Sequence, residues 1–363
     1  MDYALNVPIN SVSFGQVSIA LLREAYKLQH QPNIFPIAGQ LDLSAQTEDK
    51  DFNTWLLSCV QKAHKTHKKS NPVLKLWHLN QSMESISNKQ ILLTFFETDS
   101  PTSEEINVVK NNHKVVLTNQ TAANIFSEYG CDNVVKIPLA FDTHNFKKLD
   151  KQYFTDGRIS FNLVGKFEKR KNHAKIIQLW LKKFGNNPKY FLNCALWNHF
   201  IQPEQQKQLY AQILGNEVRW GNIQFLGWMP ANVMYNDFLN SADIIIGMSG
   251  GEGFDLGVFS SLALGKNGVI LNAHAYKEYA NNENAVMVNP SGKEPCYDGA
   301  FFQPGQQFNQ GNFYTWNDDE FISACEAAIK RVEKNRVNVE GLKLQEQFKY
   351  SDTFNQLYKL LEN

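Results

Sequence analysis

The sequence lacks the long apolar runs and the excess of one charge that mark several classes of protein. No apolar stretch among its 363 residues approaches the roughly 20 residues that a helix needs to cross a bilayer. Lysine plus arginine and aspartate plus glutamate both total 36, so the overall charge provides no footprint for a long nucleic acid. These absences predict a soluble globular protein.

Cysteine is also scarce, and the cysteines are scattered. The five residues lack the spacing of a metal site or a disulfide framework; they are Cys59, Cys131, Cys194, Cys296 and Cys325. The N-terminal residues lack the basic region and the apolar core of a signal peptide. We therefore expect a cytoplasmic enzyme with reduced thiols and no metal site.

Strand-like and helix-like segments alternate along the chain, which favours an α/β fold with parallel sheets. A chain of 363 residues is long for one core, so we expect two domains. A polar stretch, residues 142–157, separates two halves with the same alternation. We predict an N-terminal domain over residues 1–150 and a C-terminal domain over 151–344, with a C-terminal helix, 345–363, returning to the first domain.

The predicted elements follow from apolar runs and their periodicity. In the first half, strands are expected at 3–7, 73–77, 90–95, 114–117 and 134–137, and helices at 52–63, 103–111 and 120–129, with another through Ile19 after a loop over 8–16. In the second half, strands are expected at 159–164, 190–196, 222–226, 244–246, 269–271 and 286–288. Asn172 is a candidate N-cap, and the polar segment 289–312 is predicted to be a long loop that is functional or mobile.

The stretch from Ile244 to Gly265 organises the chain. A β-branched run is followed by a Ser/Gly cluster and then by an apolar tract that ends at Gly265, as in a strand, a tight turn and a helix with its C-cap. Free amides at such a helix start suit a phosphate group. Glu252, on the turn, is suited to accept hydrogen bonds from sugar hydroxyls, although any strand-to-helix turn in a parallel sheet has this pattern.

Several motifs of the second half occur together in a recognisable order. They are Val164 to Asn172, Phe225-Leu226-Gly227-Trp228-Met229-Pro230, Ser241-Ala242-Asp243, Glu252-Gly253-Phe254-Asp255-Leu256, Ala263-Leu264-Gly265-Lys266 and Asn284 to Pro290. The first half adds Leu76-Trp77-His78, Phe96-Glu97-Thr98-Asp99, Thr118-Asn119-Gln120 and Ile137 to Phe146. With these motifs the chain resembles the retaining GT-B glycosyltransferases of family four, the group 1 transferases, and is similar to members carried by bacterial viruses.

The resemblance implies two Rossmann-like domains facing a central cleft, with residues 1–150 on the acceptor side and residues 151–344 binding the nucleotide-sugar donor. It also implies the transfer of a sugar from a nucleotide-diphosphate sugar. It assigns catalytic roles to Glu252, His78, Lys166 and Lys171, with both lysines on the donor diphosphate. Substrate contacts are expected from Gly15, Gln16, Glu97, Asp99, Gly227, Ser249, Gly251, Gly253, Phe254, Asp255, Leu256, Ser260 and His274. Lys169 and Arg170 are predicted to be surface charges.

No metal is expected, because Glu283 and Asp298 are isolated acids and the lysine pair makes a divalent ion unnecessary. No cofactor is expected, because the nucleotide sugar is itself the donor substrate. The resemblance leaves the acceptor open among a glycan, a lipid, a protein, a small molecule and a modified DNA base. The oligomeric state is also open.

Two departures from the family pattern keep alternatives open. The family places a second glutamate eight positions after the first, where this chain has Ser260, and a serine makes fewer hydrogen bonds to a ribose diol than a carboxylate does. The N-terminal loop has one glycine, Gly15, where the family often has two or three. A non-catalytic nucleotide-sugar-binding module and a nucleotide-sugar 2-epimerase on the same fold therefore remain as alternative functions.

Overall fold

The computed structural model describes residues 1–215 and 219–362 and contains two separate six-stranded parallel sheets. The first sheet has the order β2-β1-β3-β4-β5-β6. Its strands are β1 (Ala4–Val7), β2 (Asn33–Pro36), β3 (Val73–Leu76), β4 (Gln90–Thr94), β5 (Lys114–Leu117) and β6 (Val134–Lys136).

The second sheet repeats this architecture with the order β12-β11-β10-β7-β8-β9. Its strands are β7 (Ile159–Gly165), β8 (Tyr190–Leu196), β9 (Ile223–Leu226), β10 (Ile244–Gly247), β11 (Asn267–Leu271) and β12 (Val286–Val288). An antiparallel pair, β13 (Gly292–Pro295) and β14 (Asn312–Thr315), lies outside both sheets. The prediction of an α/β fold with two parallel sheets is confirmed.

Helices connect the strands. They are α1 (Ser13–Lys27), α2 (Lys50–Thr66), α3 (Ser103–Lys110), α4 (Gln120–Glu128), α5 (His173–Phe184), α6 (Pro203–Leu214), α7 (Asn232–Asn240), α8 (Leu256–Ala263), α9 (Asp318–Lys334), α10 (Val339–Leu342), α11 (Leu344–Gln347) and α12 (Tyr350–Glu362). We call β1–β6 with α1–α4 and α12 the first lobe, and β7–β14 with α5–α9 the second lobe.

The central strands are continuous apolar runs because helices cover both faces of each sheet. In β10, all four residues of Ile244–Gly247 are buried, and β4 is buried throughout as well. Several helix starts are capped by their own sequence. Thr102 and Glu105 form a capping box at α3, and Asn119 accepts a hydrogen bond from the amide of Ala122 at α4.

The last helix packs against the first lobe, as the sequence predicts. The ring of Tyr358 lies 5.4 Å from that of Tyr3, and the Thr353 hydroxyl donates a 2.9 Å hydrogen bond to the Pro138 carbonyl. Residues 142–158 contain no helix or strand and run along α7, where the amide of Lys147 donates to Asn236. The domain limits themselves stay a prediction.

Three local predictions are wrong. Helix α1 begins at Ser13, so Gly15 lies in its first turn and not in a loop. Asn172 is the N-cap residue of α5, as predicted, and its carbonyl accepts a 2.9 Å hydrogen bond from the amide of Ile176. Its backbone is left-handed, with φ 56°, and its side-chain amide donates to the Met248 carbonyl and not to the helix. Strand β2 was not expected, and segment 289–312 contains β13 and the start of β14.

No helix among the described residues is long and apolar enough to span a membrane.

Candidate functional site

The side chains assigned to chemistry come from the carboxyl ends of strands in both sheets. His78 and Glu97 follow β3 and β4 of the first lobe, while Lys166 and Glu252 follow β7 and β10 of the second. Ligands of parallel α/β sheets bind beyond this edge of the strands. The candidate site is therefore the cleft in which the two lobes meet.

The glycine-rich turn between β10 and α8 is packed tightly against the first lobe. A Cβ on Gly251 would lie 2.2 Å from the Glu97 carbonyl oxygen, and one on Gly253 would lie 2.5 Å from the Cβ of Phe95. The Gly253 carbonyl also accepts a 2.6 Å hydrogen bond from the Thr118 hydroxyl. Glycine is needed here because any side chain would separate the lobes.

Buried charges converge beside this turn. The Arg170 guanidinium lies 3.0 Å from Glu97, 2.8 Å from Glu168 and 2.9 Å from Glu252, and its side chain is only 7% exposed. Lys171 Nζ lies 2.6 Å from the same oxygen of Glu252. The Glu97–Arg170 pair joins the two lobes. The prediction that Arg170 is a surface charge is wrong, whereas Lys169 is exposed.

These ion pairs set the ionisation of the central groups. Burial opposes charge on Glu252, but Arg170 and Lys171 together outweigh it, so the pKa of Glu252 is well below its usual value. Burial also opposes charge on Arg170, and the three surrounding carboxylates raise its pKa above the usual value. Buried charges of this kind need all their partners, since removing one leaves an uncompensated charge.

Lys166 lies at the outer side of this cluster and stays one-third exposed. Its Nζ atom is 2.9 Å from Glu168 Oε2. Through Glu168, which also binds Arg170, Lys166 is connected to the buried ion pairs. Both lysines predicted to bind diphosphate are therefore already paired with carboxylates, Lys166 at the partly exposed side of the cluster and Lys171 within it.

Asp255 holds the position at the start of α8 where the resemblance places a glycine. Its backbone is left-handed, with φ 65°, and its carboxylate accepts hydrogen bonds from the amide of Val258 at 3.3 Å and the hydroxyl of Tyr276 at 2.9 Å. Lys171 Nζ lies 3.4 Å away. A carboxyl side chain thus occupies the helix N-terminus that the sequence assigned to a phosphate. Burial, opposed by Lys171 and reinforced by Glu252, raises the pKa of Asp255 above its usual value.

Two histidines of the predicted site differ in their surroundings. His78 is exposed within the cleft, its ring centroid 4.4 Å from that of Phe14, and its pKa is lowered by the neighbouring atoms that displace water and by Lys166. His274 is buried, with Nε2 2.8 Å from the Ser249 carbonyl. Burial lowers the pKa of His274 to about 4, so its imidazole is neutral at pH 7.

Other predicted residues make contacts inside the protein. Gln16 bridges the lobes, since its Oε1 accepts hydrogen bonds from Asn232 and Gln46. Gly15 lets Asn10 approach, because a Cβ there would lie 2.1 Å from the Asn10 carbonyl oxygen. Phe254 packs in the core, with its ring 5.0 Å from that of Phe259.

The remaining predicted residues lie in or around the same turn. Ser249 donates its hydroxyl to the Gly251 carbonyl inside the turn, and Ser260 is buried within α8. Leu256 begins α8, and its amide has no hydrogen-bond acceptor among the described residues. Gly227 is exposed after β9, and a Cβ on it would meet only open space.

Asp99 does not face the cleft freely but fastens a segment of the second lobe. Its carboxylate binds Lys293 at 2.8 Å and the amide of Asn312 at 2.7 Å. Nearby, the amide of Asn309 donates to Glu105 at 2.8 Å. We call residues 292–315 the clasp, because this segment extends from the second lobe onto the first.

Sequence reasoning missed Glu168 and Arg170, although both lie within a motif that it used. No group of three or more His, Cys, Asp or Glu side chains in residues 1–215 and 219–362 is arranged to hold a metal ion.

Comparisons with known proteins identify the fold. No protein-family model matches the chain, and the search of curated proteins finds no match. Among solved structures, sucrose-phosphate synthase from Thermosynechococcus elongatus has a TM-score of 0.68 at 10% identity, covering 100% of this chain and 99% of the other. Anabaena HepE in complex with UDP-glucose has a TM-score of 0.65 at 12% identity, and the match again covers 100% of this chain and 99% of the other.

A third similar structure is the trehalose-6-phosphate synthase OtsA. It has a TM-score of 0.66 at 11% identity, covering 100% of this chain and 99% of the other. These similarities extend over both lobes, so the chain has the two-domain GT-B fold.

Proposed function

We propose that this protein is a retaining glycosyltransferase that moves a sugar from a nucleotide-diphosphate sugar to a hydroxyl acceptor. The observation that carries the proposal is the meeting of Lys166, Lys171 and Glu252 of the second lobe with His78 and Glu97 of the first. Each of these side chains follows the carboxyl end of a strand.

The cations of the cluster suit a leaving diphosphate. Negative charge develops on that group as the anomeric C–O bond breaks, and fixed positive groups stabilise this transition state. Lys166 and Lys171 provide two positive charges. The N-terminus of α8 adds the amides of Leu256 and Gly257, which have no acceptor in the described part of the chain.

Glu252 is suited to the sugar. Its lowered pKa keeps the carboxylate ionised, so it accepts hydrogen bonds from sugar hydroxyls. His78, with its lowered pKa, is neutral and would hydrogen-bond the sugar from the opposite lobe. Retention of configuration follows from the family resemblance, in which the leaving phosphate itself takes the proton of the acceptor hydroxyl.

The similar structures support the choice of donor class. HepE is solved with UDP-glucose, and a further match is described as bound with UDP-2-fluoro glucose. Each match covers 100% of this chain and 99% of the other chain, so the similarity includes both lobes. A UDP-sugar is therefore the first donor to test.

Two substitutions test the site. Glu252→Gln should lose most turnover while keeping part of the donor binding, because the amide keeps the size but not the charge of the side chain. Lys171→Ala should weaken the binding of a nucleoside diphosphate more than the binding of the bare nucleoside. Product analysis and calorimetry measure these effects, with Lys182→Ala as a matched control on an exposed position of α5. Unchanged turnover in Glu252→Gln removes that residue from the site.

A non-catalytic nucleotide-sugar-binding module is the second candidate. It is favoured by Asp255, which already pairs with Lys171 at the helix N-terminus, and by Ser260 in place of the second glutamate. Binding of nucleotide sugars without turnover or hydrolysis would support this function. Conversion of a nucleotide sugar to its 2-epimer without an acceptor would identify the protein as an epimerase. Loss of transfer activity on addition of EDTA would contradict transfer without a metal.

A further inference from the structure

Arg170 lies buried at the centre of the candidate site and contacts groups of both lobes. Its side chain is only 7% exposed, so its charge is balanced by protein groups and not by water. The flanking Lys171 is proposed to bind the diphosphate, whereas Arg170 contacts carboxylates and the main chain of the turn between β10 and α8. These contacts indicate that Arg170 holds other groups of the site in place.

The two terminal nitrogens of the Arg170 guanidinium have different partners. Nη2 lies 3.0 Å from Glu97 Oε1 and 2.8 Å from Glu168 Oε1. Nη1 lies 2.9 Å from Glu252 Oε1 and donates a hydrogen bond to the Gly251 carbonyl. Because the guanidinium is planar and rigid, the position of one nitrogen constrains the position of the other. Arg170 thus connects an acid of the first lobe with the acid proposed to bind the sugar.

The main chain of Arg170 holds the same turn. Its carbonyl accepts a 2.7 Å hydrogen bond from the amide of Gly250 and a 3.2 Å hydrogen bond from the Ser249 hydroxyl. The turn that bears Glu252 is therefore fastened to the segment that follows β7 through both the side chain and the main chain of one residue.

The two carboxylate oxygens of Glu252 have different surroundings. Oε1 lies 2.9 Å from the Arg170 guanidinium and 2.6 Å from Lys171 Nζ. Oε2 accepts no hydrogen bond from the part of the chain that the structure describes, and it is not closed off from solvent. One oxygen is thus anchored by the two cations, and the other is left for a sugar hydroxyl.

Glu97 extends this connection to the first lobe. Its side chain is about one-third exposed beside the cleft, and it follows β4, whereas Arg170 follows β7 of the second lobe. Burial raises the pKa of Glu97 and the charge of Arg170 opposes this change, so their contact favours the ionised carboxylate. Separation of the lobes would remove Glu97 from Nη2 and leave the buried guanidinium with one acid fewer.

We propose that Arg170 is a positioning residue that transmits closure of the lobes from Glu97 to Glu252. In the closed arrangement, the two acids hold the guanidinium between them, and Glu252 presents its free oxygen to the sugar. When the lobes separate, the guanidinium loses Glu97, and Glu252 loses its fixed orientation. Productive sugar binding is thereby linked to closure. This inference rests on the proposed function, and it gives Glu97 a role in sensing closure instead of contacting the substrate.

The test measures how much of the donor affinity comes from the sugar. UDP and a panel of UDP-sugars are titrated by calorimetry at about pH 8, which favours ionised carboxylates. We call the ratio of UDP-sugar affinity to UDP affinity, for the sugar with the largest ratio, the sugar gain. Glu97→Gln should lower the sugar gain about tenfold and leave UDP affinity within about twofold, because a contact to a charged group is lost away from the nucleotide.

Two further variants accompany Glu97→Gln. Arg170→Lys should lower the sugar gain in the same way, because lysine keeps the charge but has one nitrogen and cannot join both acids. Glu128→Gln, at an exposed position near the end of α4, is the matched control and should change neither affinity. Thermal melts show which variants are folded at the temperature of the titration.

A double variant separates a transmitted effect from a direct contact. In the Glu252→Gln background, Glu97→Gln should lower the sugar gain no further, because its effect passes through Glu252. Losses that multiply would show that Glu97 acts on the sugar independently, and an unchanged sugar gain in Glu97→Gln would show that closure is not transmitted. Equal losses of UDP and UDP-sugar affinity would indicate a purely structural role. Each of these three results overturns the proposal.

The same titrations distinguish this inference from the proposed function. A protein that shows the expected dependence on Glu252 but transfers no sugar fails as a transferase, while the role of Arg170 stands. A protein that transfers sugar and shows independent losses at Glu97 and Glu252 keeps the function and loses this role. Absence of any sugar gain in the wild type also overturns the inference, since Glu252 would then make no contact for Arg170 to position.

Discussion

Replacing Asp255 by asparagine should strengthen the binding of a nucleoside diphosphate. The carboxylate lies 3.4 Å from Lys171 and caps the helix whose N-terminus faces the proposed diphosphate site. A phosphate that binds Lys171 would then lie within about 6 Å of Asp255, where two like charges repel by about 3 kcal/mol at an effective dielectric of 20. The raised pKa of Asp255 reduces its mean charge, so this energy is an upper value, and half of it corresponds to a tightening of about tenfold.

The variant is matched by a second substitution at the same position. Asparagine keeps the capping function of aspartate, so Asp255→Asn changes mainly the charge. Asp255→Gly also removes the cost of the left-handed backbone at φ 65°, which glycine adopts freely. Calorimetric titration with UDP at low and high salt should show tighter binding for both variants, with the larger gain at low salt.

The opposite result would refute the reasoning. If both variants fold normally but bind UDP more weakly than the wild type, the Asp255 carboxylate orients Lys171 for the ligand and does not compete with it. If only the glycine variant gains affinity, backbone strain and not charge limits binding.

Two further predictions concern stability. Gly251→Ala places a Cβ 2.2 Å from the Glu97 carbonyl oxygen and should lower the free energy of unfolding, measured by denaturant titration, by about 1–3 kcal/mol. Gly227→Ala, whose Cβ meets open space, is the control and should change that free energy by less than about 0.5 kcal/mol. Equal losses in the two variants would contradict the close packing of the turn. Between pH 6.5 and about 4 the unfolded chain binds a proton at His274 that the folded chain does not, so stability should fall as the pH drops through this window, by up to about 3 kcal/mol. His274→Gln should make this decline shallower, although buried His173, with a pKa lowered to about 3, keeps part of it. An unchanged slope would show that folding does not lower the pKa of His274.

Much of the fold follows from local sequence, because buried parallel strands are short apolar runs. The run Ile244–Gly247 and the segment Tyr190–Leu196 were both expected as strands, and they form β10 and β8. Strand β2 escaped prediction because Asn33–Pro36 begins with asparagine and ends with proline, a composition typical of turns. Proline is tolerated there because β2 lies at the edge of its sheet.

The candidate site was less predictable than the sheets. Local pattern places Lys171 and Glu252 at strand ends, and the structure brings them within 2.6 Å. Arg170 was misplaced because a basic run in a polar turn is usually solvated, and only tertiary packing brings Glu97, Glu168 and Glu252 around it. Contacts between residues far apart in the chain leave no periodic signal in either segment.

The attachment of the clasp at Asp99 has a mechanical consequence. One carboxylate on the first lobe holds both Lys293 and Asn312, which flank the segment bearing Tyr297 and Phe301. A hinge motion that widens the cleft must therefore either break these contacts or move the clasp, and with it the ring of Phe301, which lies 5.0 Å from that of Phe200. The attachment at Asp99 thus couples the position of the clasp to the width of the cleft.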